Sequence, residues 1–410
     1  MGAFCWVLPL AAQLVHEGGG MPAPDFAAAV LHHSGSGTSM EPDSTATPMW
    51  MLMQDHWMLM LHGEAFLNDT QQSGPRGGDK LFSTNWFMAR AQRRVGPGTF
   101  TARAMLSLEP ATVTGRFYPE LFQQGETAFG KPLIDGQHPH DFLMELAAIY
   151  DLKLDDRTLL SVYAAPVGDP ALGPAAYPHR ASASEDPLAP LGHHLEDATH
   201  ISDDVVTVGL TRGIGRIEFS GFHGREPDEL RWNLDQGRMD SWSWRATVNP
   251  AANWSGQFSI GHLHSPEALH PGENIARTTA SLMYNRPLAH GSWASTLVWG
   301  RNHSSEGLIW NGYLAESTLR FAESHTVWGR IENVDRTSEL LLPPAGAPES
   351  IAGRVQALTA GYDRSFALWP HLELAPGGQV TFYRTPAALQ PLYGRHPTGV
   401  VLFLRLRLVP

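Results

Sequence analysis

Residues Gly399–Leu408 read Gly-Val-Val-Leu-Phe-Leu-Arg-Leu-Arg-Leu, and the alternation of this stretch decides the fold. In an extended strand, successive side chains point to opposite faces. Leu402, Leu404, Leu406 and Leu408 therefore share one face, and Phe403, Arg405 and Arg407 share the other. In a water-soluble sandwich the leucines would be core and the arginines solvated. In a membrane barrel the leucines would meet lipid and the arginines would face a polar interior.

Working backward from this stretch, the same grammar recurs. Alternating segments are read at Trp57–Asn68, Asn85–Arg94, Thr99–Glu109, Asp141–Leu152, Thr158–Val167, Val205–Thr211, Arg216–His223, Ser241–Val248, Asn253–His262, Ala276–Asn285, Ser292–Arg301, Tyr313–Phe321, Thr326–Val334, Arg354–Ser365 and His371–Arg384. With the last strand, this gives about sixteen, joined in turn by short and long connections. In Ser241–Val248, Trp242, Trp244, Ala246 and Val248 oppose Ser241, Ser243, Arg245 and Thr247. Aromatics recur near segment ends, at Trp57, Trp86, Tyr150, Trp254, Trp293, Trp299 and Tyr313, where interfacial girdles would sit. A soluble β-protein also alternates, but it rarely needs this many strands or this short–long rhythm. The reading is an all-β fold: one closed antiparallel transmembrane β-barrel over residues 57–410, with short periplasmic turns and long extracellular loops.

Composition agrees with a single large unit. The chain has 410 residues, 42% hydrophobic and only 17% charged, and no linker divides it after about residue 50. Its 40 glycines and 31 prolines are spread as many turns require. A net charge of -12 argues against nucleic acid as a partner. Cys5 is the single cysteine, so the chain forms no internal disulfide and no cysteine-based zinc site. Residues 1–15 are apolar and form a candidate signal segment, although no Lys or Arg precedes the apolar core. Beyond them no apolar run is long enough for a spanning helix.

Residues 16–56 read as a flexible Met/His-containing arm, disordered from Glu17 to Pro48. In Met49–His62, Met51/Met53 and Met58/Met60 lie at spacing two, with His56 and His62 nearby. Thioethers with imidazole suit a soft ion such as Cu(I). Methionine that simply fills uneven space is the plainer reading, and it is favoured.

The pattern of residues 57–410 resembles the Gram-negative outer-membrane β-barrel proteins of porin-like type. The final strand is similar to that family's barrel-assembly signal, though it ends Leu-Val-Pro and not in an aromatic. The resemblance implies a bacterial outer-membrane location with lipid as partner. The Met/His arm bears a weaker resemblance to copper-resistance outer-membrane proteins, which carry more regular Met/His repeats.

If the apolar faces meet lipid, the opposite faces converge inside. The interior set then comprises His62 and the charged residues Glu64, Arg90, Arg103, Glu145, Arg216, Glu218, Arg245, Arg277, Glu316, Arg320, Arg330, Glu332, Glu373, Arg405 and Arg407. Such charges either tune ion passage through a water-filled pore or form a salt-bridge ladder that fills it. Two long loops concentrate metal-type ligands: Asp135–Asp141, with His138 and His140, and Gly192–Asp204, with His193, His194, Glu196, Asp197 and His200. Imidazoles and carboxylates suit Zn(II), Cu(II) or Ni(II). The same residues also serve as loop caps and hydrogen-bonding groups, a reading favoured slightly over the metal. Asn302-His303-Ser304 raises a lipid hydrolase, but adjacent residues rarely build a triad, so no enzyme is expected. The function expected is passage of small solutes or ions across the outer membrane. Transition-metal handling, with such an ion as cofactor, is the alternative, and the hydrolase is a distant third.

Overall fold

The computed structural model describes residues 26–32, 35–46, 48–344 and 347–410. The candidate signal segment lies outside the described residues. Sixteen long strands form the wall: β1 (Trp57–Gln72), β2 (Asp79–Val95), β3 (Gly98–Leu106), β4 (Leu143–Asp155), β5 (Thr158–Gly168), β6 (Ser202–Arg212), β7 (Gly215–Phe222) and β8 (Ser241–Ala251), then β9 (Trp254–Leu263), β10 (Ile275–Leu288), β11 (Gly291–Ser304), β12 (Ile309–Phe321), β13 (His325–Thr337), β14 (Ile351–Arg364), β15 (Leu372–Arg384) and β16 (Thr398–Leu408). Each pairs antiparallel with the next. The ring closes where β16 pairs with β1, from Arg407↔Glu64 to Gly399↔Gln72. Closure leaves no unpaired edge along this seam, which lets a sheet sit in lipid with its backbone groups satisfied.

The alternation at the seam sorts the side chains as the final stretch predicts. Leu402 is 59% exposed on the outside, while Arg405 is 1% exposed inside. The outer face repeats this with Ile217, Trp244, Ile260, Leu297, Ile331 and Leu358. Soluble monomers rarely expose contiguous apolar patches beyond a few hundred Å², so a belt of this kind meets lipid. Trp254, Tyr284 and Trp293 pack together near the short-turn rim, with ring centroids 4.7 and 5.4 Å apart. Trp86 departs from the girdle expectation. It is buried and faces inward against His62 and His179.

Local chemistry explains where strand ends differ from the sequence reading. β1 runs on to Gln72 and β2 starts at Asp79, so the loop between them is shorter than the gap from Asn68 to Asn85 in the sequence reading. β3 stops at Leu106, short of Glu109, and the chain turns into a short helix, Glu109–Thr112, whose first turn holds Pro110, where its missing amide hydrogen leaves no intrahelical bond unmade. A short strand, Trp50–Gln54, pairs with the foot of β1 beyond the end of β16.

The arm differs most from its sequence reading. Phe26–His32 forms a helix, and residues 35–42 are buried inside the barrel. Composition suggested disorder because Gly, Ser and Thr bury little apolar surface. Here they are held by the polar wall instead. Gly37 donates its amide hydrogen to Glu145 at 3.1 Å, and Ser36 donates its hydroxyl to Asp169 at 2.9 Å.

Candidate functional site

All the charged residues assigned to the interior are buried within the wall except Arg320 and Glu373, which are partly exposed and pair with each other at 3.0 Å. Most of them form ion pairs, while Arg277 donates to Asn302 and the His194 carbonyl and Glu332 accepts from the Gly192 amide. Arg103 meets Glu145 at 2.7 Å and donates to the carbonyl of Gly35. Glu218 accepts from Arg216 and Arg245, each at 2.9 Å. Arg407 donates to Glu64 at 3.0 Å and to Glu185 at 2.7 Å, and Arg405 also contacts Glu185.

Glu185 belongs to the long connection 169–201, which folds into the lumen. Arg180 from this loop reaches Asp197 at 2.6 Å and Glu316 of β12 at 2.9 Å. Asp186 reaches Arg330 of β13 at 3.0 Å. Gly300 and Gly312, paired across β11 and β12, let the loop approach the wall. A Cβ at Gly300 would overlap the Leu195 carbonyl. Loop and arm together fill the lumen through these contacts. Beside Arg90, Arg103, Asp151 and Arg216 there remains a cavity of about 30 Å³, room for about one water.

Above this filling, the histidine loops meet in two groups. In the first, His138 Nε2 lies 2.6 Å from Glu126 Oε1, and His194 Nε2 lies 3.6 Å from the same oxygen. Glu126 sits on a small hairpin of Glu126–Ala128 with Lys131–Leu133. Burial raises the Glu126 carboxyl, but His138 and Arg231 outweigh it and hold the group below the usual carboxylate range. Burial lowers His194 to about 3, so its imidazole is neutral. Among the described residues, this is the group whose ligand atoms converge closely enough to hold a metal ion.

The second group holds His140, His193 and His200 around Tyr177, with His200 ring centroids 5.4 Å from His140 and 5.2 Å from His193. Each Nδ1 has an acceptor: Glu109 at 3.0 Å for His140, the Asp197 carboxylate at 2.6 Å for His193, and the Asp197 carbonyl at 2.9 Å for His200. Burial lowers His200 and His193, whereas Glu109 outweighs burial and raises His140. The hydrogen bonds fix each ring within its own loop, and the ring contacts of His140 with His200 and Tyr177 bring the two loops together.

The five histidines singled out from sequence thus divide between two sites. His138 and His140, two positions apart in one loop, join different groups. Glu126 and Glu109 were missed, since each lies far from the histidine runs and no local spacing marks it. Met51 pairs with Met60, and Met53 with Met58, so the four thioethers share one face of a hairpin at the short-turn rim. His303 and Ser304 lie on opposite faces of β11. Ser304 is buried and accepts from the Glu306 and Leu308 amides, so the pair required for a hydrolase does not form there.

Sixteen closed strands, an apolar outer belt and a charged interior define a porin-like barrel of the outer-membrane type. The fold is similar to that of an anion-selective porin from Comamonas acidovorans (TM-score 0.53, 11% identity, 86% of this chain and 99% of the other). It is also similar to Pseudomonas putida OprB (0.51, 11%, 86% and 94%) and to Salmonella typhi OmpF in complex with daunomycin (0.50, 9%, 87% and 100%). At such identities the likeness is one of fold. No family model and no curated protein matches the chain.

Proposed function

We propose that this protein is a bacterial outer-membrane channel for small ions or solutes, closed at rest by its own arm and by the loop 169–201. The observation that carries this reading is the way the lumen is filled. The filling segments hold to the wall largely through hydrogen bonds and ion pairs, as at Arg103 with the Gly35 carbonyl and Arg180 with Glu316. Hydrogen bonds to charged groups contribute a net of about 1.5–3 kcal/mol each, and water can take the place of the lost partner, so a plug held by such contacts has a solvated state to move into that an apolar core lacks. Once vacated, the wall would present charges of both signs to a permeating ion.

Planar-bilayer conductance tests the reading. The full chain is expected to show small or rare openings, and a chain lacking residues 26–46 larger and more frequent ones. If both proteins fold and neither conducts, the channel reading is wrong and the barrel serves as a closed scaffold.

A further inference from the structure

The Glu126, His138 and His194 group has an arrangement that hydrogen bonding alone leaves unsatisfied. His138 Nδ1 lies 2.8 Å from the Pro139 carbonyl. A carbonyl only accepts, so Nδ1 carries a proton. His138 Nε2 lies 2.6 Å from Glu126 Oε1. His194 Nε2 is buried without a hydrogen-bond partner and faces the same oxygen. The two imidazole nitrogens and the carboxylate oxygen all lie within 4.8 Å of one another. An ion pair between His138 and Glu126 accounts for the short contact but leaves His194 Nε2 without a hydrogen-bond partner.

We propose that Glu126, His138 and His194 bind one divalent transition-metal ion of borderline softness, such as Zn(II). Three features support a bound ion over a simple ion pair. The donor set is two imidazoles and one carboxylate, a combination that suits zinc and its neighbours and does not suit Ca(II) or Mg(II). The ligands are held from behind: the Pro139 carbonyl fixes the His138 ring, Arg277 and Asn302 donate to the His194 carbonyl at 2.7 and 3.3 Å, and Arg231 lies 3.6 Å from Glu126 Oε2. Such outer partners orient metal ligands. The site also has an approach. A cavity of about 470 Å³ reaches Glu126, and its walls carry Glu226, Asp228 and Glu229 together with Arg116 and Arg225.

The ligands come from two connections, 107–142 and 169–201. A bound ion would therefore join the outer loop to the segment that fills the lumen. The proposal stands whether or not the barrel conducts.

The test uses the full chain, folded in detergent, stripped with a chelator and dialysed against Zn(II). Bound metal is measured by elemental analysis and affinity by titration calorimetry. The wild type is expected to hold a single equivalent of zinc. Glu126→Gln and His194→Gln are each expected to weaken binding at least about tenfold, the loss that removal of even an outer partner causes. His290→Ala, at an exposed turn histidine, should leave binding unchanged. Zinc should also slow proteolysis of the loop 107–142 in the wild type and not in Glu126→Gln. Folding of each variant is checked by its heat-modifiable mobility, and if one fails to fold the other carries the comparison. Folded wild type that takes up no zinc would mean that His138 and Glu126 form only an ion pair. Zinc uptake unchanged in both variants would place the metal elsewhere. Either result overturns the proposal.

Discussion

At the scale of single residues, the barrel is held from within by charge pairs that have been taken out of water. Arg103 and Glu145 show the consequence. Both are almost fully buried, and Glu145 also accepts from the Gly37 amide at 3.1 Å and the Tyr163 hydroxyl at 2.7 Å. Removing one member leaves the other as an uncompensated charge, a loss of about 3–5 kcal/mol for a buried pair. Glu145→Ala should therefore lower stability by about that amount in a urea titration of the folded protein. A loss below about 1 kcal/mol, the worth of an exposed pair, would mean that water reaches Arg103 freely.

At the scale of elements, each strand carries a lipid face and a lumen face, and the two respond differently to the same charge. Leu358 sits mid-strand on the outer face of β14 and is half exposed. Leu358→Arg should lose about 2–4 kcal/mol near the bilayer midplane. The same charge is native on the inner face, where Arg330 and Arg405 find carboxylates. Folding into vesicles would read this difference, and an unaffected Leu358→Arg would put that face out of lipid.

The arm is an element of another kind, attached through groups that titrate. Glu41 accepts from the Ala181 amide at 2.8 Å, and Asp169 accepts from Ser36 at 2.9 Å. Neither lies on a spanning strand. Burial pushes both carboxyls up to about 7, against the partial opposition of Arg180 at Glu41 and of Arg245 at Asp169. The docked arm therefore holds protons that a freed arm would release above the ordinary carboxylate range. Docking is favoured at low pH and weakens as pH rises through about 7. Hydrogen exchange of residues 35–46 should be slow near pH 5 and faster above pH 7, with a smaller change in Glu41→Gln. Protection that rises with pH would contradict this linkage.

At the scale of the whole molecule, closure depends on one strand, because β16 completes pairing for both β1 and β15. Deleting residues 399–410 exposes two long edges together and removes the partners of Glu64 and Glu185. Such a chain should give no heat-modifiable folded form and should aggregate. A folded, heat-modifiable product would show that β1 and β15 can close directly.

The sequence by itself determined the wall. A strand's two faces are set by a period of two, which is local, so Leu402–Leu408 and Ser241–Val248 declare their orientation without knowledge of any neighbour. Turn glycines and the short–long rhythm then set strand number and direction. Only the tertiary structure decided what occupies the inside. Composition marks residues 17–48 as an arm too polar to fold, but polarity suits residues 35–42, which are buried with contacts to Arg103, Glu145 and Asp169. The histidine runs were visible as candidate ligands. Which of them meet depended on Glu126, brought in by a separate hairpin, and on the closed wall that turns the loop 169–201 inward. Convergence of that sort depends on contacts between residues distant in the chain, and no local period encodes it.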